Sequence, residues 1–237
     1  MSNVQAMKNH QESRDAFIHT LKLADKENYN LAPILSLYMK DDEVPSMTIM
    51  FPEMPTDQEE KTILHAVGFA PNSFFDFEYV NLFTDVLFKM QDKKDDETID
   101  DVKIHNPLRE DPEAVEAVMG ITADAKGVLC QSLDEYGRQD DGSVLFKEYK
   151  LHTREDNKDM MNGGMITHLL ESSFDGREKI ESVKKKGEYV QLVQQGLDMM
   201  SDMGFKIAFS NKMNDLMQDL GIIDEDGVCT HECDCDK

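Results

Sequence analysis

The sequence has no tryptophan, and it holds only 7 prolines and 4 cysteines in 237 residues. One cysteine, Cys130, stands alone, while Cys229, Cys233 and Cys235 crowd near the C-terminus. That is not the even spread of a secreted disulfide framework, so reduced thiols are expected. No apolar run approaches the roughly 20 residues that a membrane-spanning helix needs. Met1 to His10 lacks the charged-then-apolar layout of a secretory leader, so the expectation is a cytoplasmic protein.

Basic residues are also scarce. Lys and Arg total 25 against 48 Asp and Glu, a formal charge of −23. Such a chain repels phosphate backbones and anionic membrane surfaces within the reach that salt screening allows. Direct nucleic-acid and membrane binding are therefore excluded from the expectation. The charge reads either as plain solubility or as a recognition surface, and in the second case a basic protein surface is the partner it fits.

Signatures of chemistry are missing as well. The seven histidines, His10, His19, His65, His105, His152, His168 and His231, form no HxH or HExxH spacing that would bring two imidazoles together. Asn162-Gly163-Gly164 precedes a helical stretch, but neither the phosphate-loop Lys-Ser/Thr nor the dinucleotide glycine spacing accompanies it; it reads as a plain loop. Carboxylates are too many for sequence proximity to nominate an acid–base pair, because the pairing that shifts a pKa is spatial. No period of 20 to 50 residues repeats, which excludes a solenoid.

What is present is core material: 40% apolar residues with 12 Phe, 6 Tyr and 16 Met. A chain of this length can bury most of its unfolded surface as one large domain, or as one domain with an appendage. Ala16, Phe17, Leu21 and Ala24 recur at helical spacing within Asn9 to Asp25. Pro33 fits the first turn of a second helix carrying Ile34, Leu35, Leu37 and Tyr38. Ser46 to Phe51 (SMTIMF) alternates as a strand between two prolines. Thr56 and Glu59 match a capping box before a helix with a buried stripe of Ile63, Leu64 and Val67. Phe75, Phe77 and Tyr79 alternate with Asp76 and Glu78 as a strand with one wet face. Residues 82–90 suit either helix or strand.

The segments around Ala117-Val118-Met119, Gly127 to Gln131 and Ser143 to Leu151 read as a three-stranded antiparallel meander. Its turns are Asp124-Ala125-Lys126-Gly127 and Gln139-Asp140-Asp141-Gly142, with glycine supplying positive φ. Beyond Arg154 helical periodicity takes over, through Met165 to Phe174 and the stripe Tyr189, Val190, Val193, Leu197 and Met200. Phe205 to Phe209 reads as a last strand, and Asn211 to Leu220 as a helix ended by Gly221. The expected class is α+β: an antiparallel β-meander with N-terminal and C-terminal helices packed on it. The expected division is 1–154 as the α+β unit, 155–221 as a mainly helical region, either separate or part of the same domain, and 222–237 as an acidic cysteine-containing tail.

The sequences SMTIMF, EDPEAVEAVMGITADAKG and RQDDGSVLFKEY fall in an order of strand, helix, acid-Pro-acid lead and DG-turned meander. In this, residues 45–151 resemble a group of uncharacterised accessory proteins of tailed bacteriophages. The resemblance implies residence in a host cytoplasm and carries no assigned activity.

Three features remain as site candidates. Cys229, His231, Cys233 and Cys235 combine thiolate and imidazole donors, but four crowded ligands with no second pair upstream do not close a tetrahedron without strain. No metal and no cofactor is expected, and the segment reads as an exposed tail. Cys130 sits in an apolar strand pattern and reads as a small buried hydrophobe. Asp95, Asp96, Glu97, Asp100 and Asp101 form the densest acidic run, with only Ile99 among them demanding burial, and are the expected partner-binding patch. The leading functional expectation is a binding or regulatory protein that presents this surface to a basic protein. The alternatives are an enzyme whose site assembles from distant carboxylates and histidines, and an oligomer-forming protein.

Overall fold

The structure is a computed structural model that describes residues 3–23, 31–55, 57–88, 114–139, 143–155 and 165–224. Alternation of side chains organises its centre. Seven strands, β1 (Ile34–Met39), β2 (Met47–Met50), β3 (Phe77–Phe88), β4 (Val115–Asp124), β5 (Gly127–Arg138), β6 (Val144–Thr153) and β7 (Lys206–Phe209), form one antiparallel sheet of order β6-β5-β4-β3-β1-β2-β7. One helix, α1 (Asn3–Leu23), lies on one face. The other face carries α2 (Gln58–Phe69), α3 (Pro71–Phe74), α4 (Met165–Asp175), α5 (Arg177–Lys186), α6 (Tyr189–Asp202) and α7 (Asn211–Asp219). The α+β class with a β-meander and helices from both ends of the chain is what the sequence leads one to expect.

Along β1 and β3 the two faces separate residue by residue. Leu35, Leu37, Val80 and Leu82 join Met47, Ile49 and Ile121 in a large core closed by Leu170, Val193, Met200, Met213 and Met217 from the helices. Their neighbours turn the other way, where Phe83, Val118 and Tyr136 meet Phe17 and Leu21 of α1. Strand β7, from the helical part of the chain, pairs with β2 through Met47↔Phe209 to Met50↔Lys206. The helical region and the meander thus share one core, to which Ile222 and Ile223 also belong.

Several local expectations are corrected. Pro33 starts no helix: its carbonyl accepts the Phe51 N–H at 2.9 Å, and the following residues form β1. A strand covered on both faces reads as a continuous apolar run, so periodicity alone cannot tell it from a buried helix. The N-cap of α2 is Asp57, whose carboxylate accepts the Glu59 and Glu60 N–H groups, rather than Thr56. The buried side of α2 carries Leu64, His65, Gly68 and Phe69, while Ile63 is exposed. Residues 77–88 are strand throughout, which settles most of the ambiguous stretch.

The first meander turn forms as its chemistry requires. Asp124 pairs with Gly127, the Asp124 carboxylate accepts the Lys126 N–H at 2.7 Å, and Gly127 has φ +103°. Arg154 locks this turn from the side, donating to Asp124 Oδ1 at 2.6 Å, to the Gly127 carbonyl at 2.6 Å and to the Val128 carbonyl at 3.0 Å. The second turn, with Gly142, lies outside the described residues. Replacing Gly127 with valine forces a β-branched residue into the left-handed region, and should lower the unfolding free energy by about 1–2 kcal/mol in urea denaturation. An unchanged midpoint would remove the positive-φ turn.

Candidate functional site

Helix α1 reaches the sheet through polar groups as much as apolar ones. Ala6, Phe17 and Leu21 supply its buried apolar positions, and between them Asn9 and His10 are also buried. Such groups are stable away from water only if their hydrogen bonds are made, and here they are. Asn9 donates to the Tyr79 hydroxyl at 2.6 Å. His10 lies 2.7 Å from Thr122 Oγ1 through Nδ1 and 2.9 Å from Ser132 Oγ through Nε2. Because the Thr122 hydroxyl donates to Asn81 Oδ1 at 2.8 Å, its oxygen is left to accept from His10. This fixes a proton on Nδ1 and leaves Nε2 to accept from Ser132. Gly120 makes the seat possible, since a Cβ there would stand 2.3 Å from the Phe83 ring and 2.6 Å from Ser132 Oγ.

Ser132 donating to His10 has the geometry of a nucleophile and its base. Burial decides against that role: Ser132 is 0% and His10 1% exposed, so no substrate reaches the hydroxyl. Next along the seam, Arg14 holds the buried Asp134 carboxylate through Nε at 2.8 Å and stacks 4.1 Å above the Tyr149 ring. Further on, the Tyr136 hydroxyl donates to Asp85 Oδ1 at 2.6 Å, and Arg138 donates to Glu116 at 3.1 Å. These groups bind α1 and the strands to one another.

Burial moves two of these groups in opposite senses. Desolvation, aided by the Arg14 charge, lowers His10 from 6.5 to about 4. Desolvation, with Glu116 adding repulsion, raises Asp85 from 3.8 to about 6 against the Tyr136 hydrogen bond. The folded state keeps His10 neutral, so its contribution is whole above pH 6.5 and is lost as the pH falls toward 4. Folding instead favours the protonated form of Asp85, so its contribution is lost as the pH rises from 3.8 through 6.

Between pH 7 and pH 5, His10→Gln should therefore remove about 2 kcal/mol of acid-induced destabilisation relative to the parent protein. Asp85→Asn, which keeps an acceptor for Tyr136, should stabilise the protein by about 1 kcal/mol at pH 7 and by little near pH 4. Unfolding free energies measured at these pH values check both. Parallel pH profiles for the parent and either variant would refute the corresponding assignment.

Among the described residues, packing α1 over β3 and β4 leaves the β1–β2 side of the same face partly open. There a groove of about 320 Å³ runs between Glu12, Ser13, Ala16, Phe17 and Thr20 of α1, Ile34, Ser36 and Tyr38 of β1, Glu43, Val44 and Pro45 of the following turn, and Thr48 of β2, with Phe83 alongside. Among the described residues, two carboxylates and no cationic side chain line it. Val44 is 64% exposed, and Met50, cross-strand from the lining residue Ile34, is 40% exposed. The turn that carries Glu43 and Val44 is fixed. Asp42 accepts the Ser46 hydroxyl and the Lys212 ammonium, while Ser46 Oγ accepts the Met39 N–H at 2.9 Å.

The site residues expected from sequence fare differently. Asp95, Asp96, Glu97, Asp100 and Asp101, and Cys229, His231, Cys233 and Cys235, lie outside the described residues, as does Asn162-Gly163-Gly164. Cys130 is buried in β5, and burial pushes its thiol up to about 11, which keeps it protonated and unreactive. His65 is buried with Nδ1 2.8 Å from the Lys61 carbonyl. Among the described residues, no group of three or more His, Cys, Asp or Glu is placed to hold a metal, and no helix is long and apolar enough to cross a membrane. Sequence reasoning missed the His10 seam and the groove. The available signal was that Ala6, His10, Ser13 and Phe17 follow one another at helical spacing on a single face. No family model, curated protein or solved structure matches the chain.

Proposed function

We propose that this is a binding protein which receives a basic protein partner, with the groove between α1 and the β1–β2 side of the sheet as the point of contact. The observation that carries the reading is the groove itself, an apolar trough with acids at its rim on a face where the hydrogen-bonded polar clusters are engaged in holding α1. The charge of −23 supports it. Its field extends over a Debye length of about 8 Å at physiological salt and draws a basic surface in before contact. The acidic run from Asp95 to Asp101 adds to that field.

Stopped-flow mixing of the full chain with fluorescent peptides graded in charge tests this. Basic peptides should associate fastest, and their association rate should fall about tenfold between roughly 50 and 300 mM salt. Converting Asp95, Asp96, Glu97, Asp100 and Asp101 to their amides should slow association and leave the thermal midpoint nearly unchanged. Duplex DNA should not bind. Equal rates for acidic and basic peptides, or rates indifferent to salt, would overturn the proposal.

A further inference from the structure

Resting on that reading, we infer that the groove recognises one long cationic side chain, lysine or arginine, presented by an extended apolar-flanked segment of the partner. Its volume of about 320 Å³ lies at the small end of ligand sites and admits one long side chain with parts of its neighbours, while its two carboxylates repel an anionic nucleotide. The chemistry is graded from floor to rim. Ala16, Ile34 and Val44 offer apolar surface to a methylene stem, and Glu12 and Glu43 offer carboxylates to the charged head. Lysine and arginine have that division within one side chain, with an apolar stem and a head that stays in water.

A free diamine would satisfy the same carboxylates, but it would leave Val44 and Met50 wet beside the groove. Residues flanking the cation in a polypeptide cover them. The source is therefore a protein segment. Glu12 and Glu43 are themselves exposed, so replacing them does not disturb the core.

The test uses three labelled heptapeptides that differ only at a central lysine, norleucine or glutamate between valines, titrated against the full chain by fluorescence anisotropy. The lysine peptide should bind at least about tenfold tighter than the norleucine peptide, and the glutamate peptide weakest. Glu12→Gln with Glu43→Gln should bring lysine down to norleucine, while Val44→Ser should weaken both by a few-fold. Circular dichroism verifies that the variants are folded. If norleucine binds as well as lysine and the glutamine variants change nothing, while Val44→Ser still weakens binding, the cation inference fails and the groove stands as the contact. If no peptide binds, or binding ignores all three substitutions, the groove reading fails with it. Displacement of the lysine peptide by 1,5-diaminopentane at the peptide's own dissociation constant would reassign the site to free amines.

Discussion

Everything on the α1 side of the sheet depends on one constraint: polar groups shut away from water must satisfy one another. Each buried group left without a partner costs about 1–3 kcal/mol, so a helix that buries Asn9 and His10 against Tyr79, Thr122 and Ser132 has few alternative positions. A slide of one turn would strand several donors at once. Apolar contacts alone, from Phe17 and Leu21 on Phe83, Val118 and Tyr136, tolerate small shifts far better, because dispersion and burial are not directional. The polar seam therefore sets where α1 lies, and the apolar contacts supply much of the energy that keeps it there.

The position so fixed creates the groove. The sheet is seven strands wide, and one helix about 10 Å across covers only part of that face. The opposite face is closed by several helices, and on the α1 side the margin of the sheet around Ile34, Thr48 and Met50 stays partly open among the described residues. Leu35 and Leu37 face the helical core, whereas Ser36 lines the groove. Were α1 free to settle over β1 instead, the trough would close. Specific polar contacts at Asn9, His10 and Arg14 thus shape a surface that none of these residues touches directly.

These arrangements were unequally legible in the sequence. Turn chemistry is local and placed Gly127 in its turn; alternation placed Phe77 and Tyr79 in a strand, but Phe75 precedes that strand and the expected wet face is covered, with Phe77 in the helical core and Tyr79 on the α1 side. Strand β1 escaped because both its faces are covered, which erases the period of two. In α1 the buried face is half polar, so Asn9, His10 and Arg14 look like a solvated side until their partners are known. Those partners lie 112 to 122 positions away for His10 and 120 for Arg14, and no spacing rule spans such a distance. Asp85 and Tyr136 are likewise joined only by sheet register across β4. The groove was least legible, since a concavity is a property of how elements pack.

On the proposed reading, charge and groove divide the work of recognition between them. The field of 23 excess negative charges acts before contact and governs how often a basic partner arrives. It holds that partner poorly, because exposed ion pairs contribute about 0–1 kcal/mol and weaken with salt. Apolar burial is different in kind. Covering about 100 Å² around Val44 and Met50 would contribute roughly 2.5 kcal/mol at 25 cal/mol per Å², and that energy appears almost wholly in the dissociation rate. Glu12 and Glu43 stand between these regimes. Together they would supply the roughly tenfold preference for a cation over a neutral side chain, and an anionic side chain placed between them would meet two like charges, so they also exclude the wrong partner. In the proposed complex, encounter would follow from composition, lifetime from the apolar flank, and selectivity from two carboxylates whose separation is set by the seat of α1.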